Sequence, residues 1–174
     1  MELNTVSVFG YNADIELFAD DLPAGVSASF NPQIMQPDET GIVELQVSNI
    51  APGIYNWTIR AQSGDMVFEL PMQLIVNEQS PVAVELTAPQ NDATASSSLL
   101  LFEWNSAISP SAQYTIEFAY DNQFSDVIGT YNTGSETFYH FAGLPPVSTI
   151  FWRVITQNGC GQSVSSVNKI YTAA

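Results

Sequence analysis

The sequence predicts an all-β chain that consists of two tandem antiparallel β-sandwiches. Apolar and polar residues alternate in short runs, and Gly, Pro, Asn and Asp separate these runs, as is typical of half-buried strands. The 3.6-residue period of an amphipathic helix is missing from most of the chain. A polar segment, VNEQSP at 76–81, interrupts the pattern before a new strand begins. We therefore expect one sandwich at 1–79 and a second at 80–174.

The first sandwich is predicted to contain six strands. Turn segments such as DLPAG and SGD separate them. Pro71 has no N–H to donate to a neighbouring strand, so the last of the six is expected at a sheet edge or in a bulge. The predicted strands span residues 5–9, 14–19, 26–30, 41–48, 55–61 and 66–76.

The second sandwich is predicted to contain seven strands. Seven short, regularly spaced strands in about 95 residues favour an immunoglobulin-like sandwich. The predicted strands span residues 82–87, 98–105, 113–120, 127–132, 137–141, 149–157 and 166–172. Alternation within them predicts the core residues, which are Leu100, Phe102, Trp104, Tyr114, Ile116, Phe118, Tyr139, Phe141, Ile150, Trp152 and Val154.

The charge of the chain excludes some partners. There are 18 acidic residues and only three basic ones, Arg60, Arg153 and Lys169, which gives a formal net charge of −15. Three bases are too few to neutralise nucleic acid phosphates or to bind an anionic membrane, and no apolar run approaches the ~20 residues of a membrane-spanning helix. The acidity indicates either solubility or bound calcium. Charged residues make up only 12% of the chain, and a surface rich in Ser, Thr, Asn and Gln favours an extracellular or cell-surface location.

Three segments of the second half form a recognisable pattern: FEWN, QYTIEFAYDNQFSD and GLPPVSTIFWRVITQNGCGQSVSS. Through them the second half resembles a fibronectin type III domain of secreted bacterial proteins. Within them, Trp104, Tyr114, Leu144, Pro146 and residues 151–154 match the pattern of the family. The family usually has a Tyr six residues after the corner Leu, and this sequence has Ile150. The resemblance therefore implies a corner that is held by packing alone.

The first half is similar to bacterial immunoglobulin-like repeats. LPAGV at 22–26 and PGIY at 52–55 carry the match. The order of the two domains resembles the non-catalytic tail of secreted Bacteroidetes-type metallopeptidases. The resemblance implies an accessory spacer or docking module that contacts neighbouring domains of the same polypeptide. The alternative is an adhesion module that binds a glycan or a protein.

No catalytic arrangement is apparent in the sequence, and we expect neither enzymatic activity nor a cofactor. The chain has one His, His140, with no HExxH motif around it, and no GxSxG motif is present. The turn YDNQFSD offers Asp121, Asn122 and Asp126 as candidate calcium ligands. The alternative is a turn held by side-chain-to-backbone hydrogen bonds, with Phe124 anchoring it to the core.

Several outward-facing residues suggest surface contacts. Glu117 and Arg153 lie on strands that are neighbours in fibronectin domains, so we predict an ion pair across the sheet. Alternation also directs four large apolar side chains outward. A contiguous apolar patch among them would mark an interface with a neighbouring domain, a glycan or a protein. These residues are Leu99, Leu101, Phe138 and Phe151.

The only cysteine, Cys160, has three interpretations. It is a buried thiol that packs as a small hydrophobe, a reactive nucleophile, or half of a disulfide whose partner lies outside this sequence. No His or Lys lies nearby in sequence to activate its thiol as a nucleophile. In similar bacterial domains another Cys often follows the last strand, which favours the disulfide.

Overall fold

The computed structural model describes residues 1–6, 10–95 and 99–173 and has the all-β fold that the sequence predicts. Sixteen strands and no helix occur in these ranges. The chain divides into two compact units, Met1–Val76 and Asn77–Ala174. Each unit has its own hydrophobic core.

The first unit is a sandwich of two antiparallel sheets. A three-stranded sheet has the order β1-β5-β3, and a four-stranded sheet has the order β4-β2-β6-β7. The strands are β1 Glu2–Asn4, β2 Ile15–Asp20, β3 Val26–Asn31, β4 Ile34–Met35, β5 Thr40–Val47, β6 Gly53–Ser63 and β7 Met66–Val76. The buried core between the sheets consists of Leu17, Met35, Val43, Trp57 and Ile59.

Three sequence predictions for the first unit have clear outcomes. Pro71 lies on an edge strand as predicted, because β7 is outermost in its sheet and pairs only with β6. The predicted strand at 5–9 is wrong at Thr5 and Val6, which lie outside any strand, and residues 7–9 fall outside the described residues. Strand β4 was not predicted, because two residues between turns leave no alternation to read.

The second unit is also a sandwich of two sheets. One sheet has the order β13-β10-β8, and the other has the order β12-β11-β14-β16-β9, with β15 paired to β14. All pairings are antiparallel except that of β9 with β16. The strands are β8 Leu86–Ala88, β9 Ala93–Ala95, β10 Leu99–Trp104, β11 Gln113–Ala119, β12 Val127–Gly134, β13 Phe138–Ala142, β14 Thr149–Asn158, β15 Gly161–Val164 and β16 Asn168–Thr172.

The predicted core of the second unit is confirmed. Leu100 and Tyr139 are partly buried against it, and the other nine predicted residues are buried. Its centre is aromatic: the ring of Phe102 lies 4.8 Å from that of Phe118 and 5.0 Å from that of Trp152, both edge to face. Edge-to-face ring pairs add stabilisation beyond the area that they bury.

The strand predictions for the second unit differ from the structure at three places. Strands β9 and β15 were not predicted, since Ala93–Ala95 and Gly161–Val164 are too short to show alternation. The strand predicted at 82–87 is reduced to Leu86–Ala88. A register shift in the pairing of β10 with β8, between Glu103 and Trp104, interrupts the ladder at this point.

The corner before β14 is not held by packing alone, which corrects the prediction made from Ile150. Ile150 is fully buried. The hydroxyl of Thr172 on β16 donates to the carbonyl oxygen of Pro145 at 2.6 Å and accepts from the backbone N–H of Ser148 at 2.9 Å. A hydroxyl from a different strand therefore bonds to the backbone of the corner.

Replacing Thr172 with valine is expected to destabilise the second unit by about 1–3 kcal/mol, because buried backbone groups of the corner lose their partner while the shape is kept. Urea unfolding followed by tryptophan fluorescence measures this loss. Thr172→Ser retains the hydroxyl and should lose less. A Thr172→Val variant as stable as the unsubstituted chain would show that the hydroxyl does not hold the corner.

Candidate functional site

Three of the four predicted interface residues lie together on the outer face of the small sheet of the second unit. On β10, Leu99 and Leu101 project outward, and on the neighbouring β13 so does Phe138. The register places Leu101 opposite His140 and Glu103 opposite Phe138. Leu99 is 60% exposed and Phe138 is 43% exposed. We call Leu99, Leu101 and Phe138 the apolar face.

The fourth predicted residue, Phe151, does not belong to this face. It lies on β14 in the other sheet, with Ala119 and Lys169 as its cross-strand neighbours. The two sheets point their outer faces in opposite directions, so Phe151 and Phe138 are on opposite sides of the sandwich. Alternation correctly placed both side chains outside the core, but the four candidate interface residues do not form one contiguous patch.

The candidate calcium turn is held by the carboxylate of Asp121. One oxygen accepts the backbone N–H of Gln123 at 2.8 Å, and the other accepts those of Ser125 and Asp126 at 3.0 and 2.7 Å. The Ser125 hydroxyl donates to the same carboxylate at 3.0 Å. These contacts match the turn interpretation. Calcium binding by Asp121, Asn122 and Asp126 stays a prediction.

The carboxyl group of Asp121 should titrate below the usual range. The N–H of Asp126 has the largest effect and, with those of Ser125 and Gln123 and the Ser125 hydroxyl, lowers the pKa of Asp121, while burial opposes this shift. Because the folded pKa is depressed, the stabilisation is present above the unfolded pKa of about 3.9 and is lost as the pH falls through the folded value.

An NMR titration of the carboxyl carbon tests this expectation. In Asp121→Asn, the amide shifts of Ser125 and Asp126 should lose their acid-dependent change. A midpoint for Asp121 at or above the usual aspartate value would contradict the proposed role of the carboxylate in holding the turn.

The predicted pair of Glu117 and Arg153 is confirmed. The two residues are cross-strand partners, and Arg153 Nε lies 2.7 Å from Glu117 Oε2. The guanidinium of Arg153 also lies 3.9 Å from the centroid of the Phe124 ring. Phe124 is buried, with 9% of its surface exposed, and it anchors its turn by packing beneath Arg153.

The other two basic residues have similar surroundings. Arg60 pairs with Asp20 at 2.6 Å and lies 4.1 Å from the ring centroid of Phe18. Lys169 pairs with Asp92 at 2.9 Å, and its Nζ lies 5.6 Å from the ring centroid of Tyr171. Each of the three cations thus has both a carboxylate and an aromatic ring as neighbours. None of them is a free anchor for an anionic ligand.

Cys160 is exposed at the turn between β14 and β15, so the interpretation as a buried thiol is wrong. The side-chain oxygen of Asn158 accepts the N–H groups of Cys160 and Gly161 at 2.8 and 3.2 Å. The sulfur lies 3.6 Å from the carbonyl oxygen of Asn77. The sequence analysis identified neither this turn nor the role of Asn158 in holding it.

Groups for metal or acid-base chemistry do not converge in the described ranges. No cluster of three or more His, Cys, Asp or Glu residues occurs there that would hold a metal ion. His140 is exposed, and its ring contacts that of Phe138 at 5.8 Å between centroids. No helix in the described part of the chain meets the length and hydropathy needed to span a membrane.

One surface was missed by sequence reasoning. Strand β7 was predicted with the correct bounds, but the sequence analysis did not identify its exposed apolar side chains. In the structure, Phe68 on this strand is 66% exposed and Leu70 is 49% exposed.

Comparison with known proteins gives similarities of fold. No protein-family model and no curated protein matches the chain. A solved β-sandwich protein that had been redesigned computationally is 21% identical, with a TM-score of 0.42 over 54% of this chain and 94% of that chain. The chicken CNTN1 FN1-FN3 domains are 15% identical, with a TM-score of 0.42 over 86% of this chain and 56% of that chain. The chain thus spans about half the length of the chicken structure.

Proposed function

We propose that the chain is a non-catalytic accessory module of a larger secreted or cell-surface bacterial protein, where it serves as a spacer and docking unit. The apolar face of the second unit carries this proposal. Exposed apolar patches on soluble domains mark sites of contact, and Leu99, Leu101 and Phe138 form such a patch on a regular sheet. Sandwiches present such faces rigidly, which suits a module that positions another domain.

The proposed partner of the apolar face is a neighbouring domain of the same polypeptide. The resemblance of the two halves to immunoglobulin-like and fibronectin type III repeats supports an arrangement of several domains. The order of the two domains is similar to that in the tail of secreted metallopeptidases, which supports a peptidase as the parent protein. The low proportion of charged residues, 12%, supports the extracellular location.

Cys160 is proposed to form a disulfide with a cysteine outside this sequence. Its exposed position in a hairpin turn leaves the sulfur accessible to another segment. Disulfides persist in oxidising compartments such as the cell exterior. The bond would tie the second unit to the segment or domain that carries the partner cysteine.

Mass-spectrometric peptide mapping of the native, unreduced protein tests the proposed function. We expect peptides from neighbouring domains, including a catalytic zinc-binding segment, and a peptide linked to Cys160. An intact mass equal to this 174-residue chain, together with a free thiol, would overturn both the accessory role and the disulfide.

A second candidate function is adhesion to a glycan or a protein, and the exposed ring of Phe138 favours it. An aromatic ring that lies on a flat sheet beside His140 offers a stacking surface. Phe138→Ala should then abolish a saturable binding signal in a glycan and protein array. Tyr120→Ala, which removes another exposed ring of the same unit, should leave it unchanged. An equal loss in both variants would argue against a site at Phe138.

A further inference from the structure

The free side of β7 is available for pairing with another strand. Strand β7 is the last strand of its sheet, and no other described strand pairs with its far side. The β6–β7 hairpin closes through the two residues Gly64 and Asp65, which makes Ser63 and Met66 a hydrogen-bonded pair. Residues 67, 69, 71, 73 and 75 therefore direct their backbone groups away from β6. Pro71 occupies one of these positions, where its missing N–H costs no bond to β6.

The side chains along this edge are apolar on the side that faces the other sheet. Phe68 and Leu70 are 66% and 49% exposed, although they point the same way as the buried Ile59 and Trp57 of β6. A groove of about 350 Å³ runs beside Phe68, with Ile15 among its lining residues. An added strand would cover these side chains and fill part of the groove.

The opposite side of the same edge carries one carboxylate, that of Glu69, beside the exposed apolar Val67. Glu69 lies across from Arg60, whose pKa is raised chiefly by its hydrogen bond to Asp20, with further contributions from the charges of Glu69 and Glu16. The positive charge of Arg60 thus interacts with three carboxylates, those of Asp20, Glu69 and Glu16. The first unit as a whole has ten acidic residues and one basic residue, a net charge of −9. A partner of opposite charge is attracted to this edge, and a second copy of the chain is repelled.

We propose that β7 binds, by strand addition, an extended segment of a partner protein in which apolar residues alternate with Lys or Arg. The backbone of the segment pairs with the outward N–H and C=O groups of β7. Its apolar side chains pack beside Phe68 and Leu70, while its basic side chains lie next to Glu69. In this mode the main-chain bonds supply affinity and the alternate side chains supply specificity.

Titration of the full chain with a synthetic peptide of alternating valine and lysine, about seven residues long, tests the proposal. Binding is followed by amide chemical shifts near physiological ionic strength, where long-range attraction between exposed charges is screened. Shift changes should concentrate on residues 66–75 and on their partners in β6. A peptide with glutamate in place of lysine should not bind.

Matched variants distinguish the contribution of backbone pairing to peptide binding from the contribution of charge. Val67→Pro removes one outward N–H, as Pro71 already does naturally, and should weaken binding about tenfold. Glu69→Gln should weaken it up to about fivefold. Glu44→Gln removes the same charge from the other sheet of the unit and should change little. If Val67→Pro fails to fold, a peptide with N-methylated pairing amides tests the same bonds on the intact protein.

Three results would overturn the proposal. One is a set of shift changes spread over the acidic residues of both units, with equal affinity for Val67→Pro, because this would indicate general charge attraction. Another is the absence of any binding at millimolar peptide. The third is self-association of the chain that Val67→Pro abolishes, since the occupant of the edge would then be a second copy.

Discussion

Replacing Trp104 with alanine is expected to unfold the second unit. Trp104 is 3% exposed, and its ring packs edge to face on that of Tyr114 at 5.9 Å between centroids. It lies on β10, the central strand of the smaller sheet. Truncating a buried Trp costs about 3–5 kcal/mol, and a domain is typically stable by only about 5–15 kcal/mol in total. Most of the stability of this unit would be lost.

Urea unfolding followed by fluorescence distinguishes the units, because each keeps a reporter. Trp57 is buried in the first unit, and Trp152 remains in the second unit of the variant. We expect the Trp152 transition to shift to much lower urea, or to vanish, while the Trp57 signal still shows a folded first unit. Tyr120→Ala is the control, since this ring is 45% exposed. A loss for Trp104→Ala no larger than that of the control would contradict the assignment of Trp104 to the core.

Replacing Gly25 with alanine should have the largest effect in the first unit. Gly25 follows Ala24 in a turn closed by a hydrogen bond from the N–H of Val26 to the carbonyl of Pro23, and its φ is +89°. A β-carbon at this position would lie 2.2 Å from the carbonyl oxygen of Ser48. The variant must bear an unfavourable φ and displace backbone at the end of the β3–β5 pair, at a cost of about 2–6 kcal/mol.

Gly64→Ala is a matched control for the φ angle alone. Gly64 has a φ of +58°, and a β-carbon there meets nothing within 4 Å. It should cost about 1–2 kcal/mol. Unfolding monitored through Trp57 gives both values. Equal losses would mean that the clash at Ser48 relaxes freely, and the explanation of the Gly in LPAGV by close backbone approach would then fail.

Local patterns in the sequence were enough for much of the fold. Alternation identified which side of β10, β11 and β14 is buried, because one face of each strand packs against the opposite sheet. The missing N–H of Pro71 predicted that its strand lies at a sheet edge. The pair of Glu117 and Arg153 needed one more piece of information, the order of strands in the resembled family.

Features that depend on contacts between distant segments escaped prediction. Strand β9 forms only because β16 lies beside it, and the hydroxyl of Thr172 reaches a corner that lies before β14. Alternation directs both Phe138 and Phe151 outward, yet it does not say which sheet each strand joins. The candidate interface therefore included Phe151, which lies on the other sheet. The exposed apolar side chain of Phe68 on the edge strand β7 was not recognised.

All three basic side chains contact both a carboxylate and an aromatic ring, and these contacts have a consequence for proteolysis. A protease that cleaves after Lys or Arg has three target positions in this chain, Arg60, Arg153 and Lys169, and they lie within β6, β14 and β16. Cleavage needs an extended, accessible backbone, so the strand must first leave its sheet and the cation must leave its carboxylate and its aromatic ring. Cutting therefore depends on the opening of the unit and not on surface accessibility alone. A folded chain of this composition resists trypsin-like enzymes through the rarity and the placement of its cleavage sites.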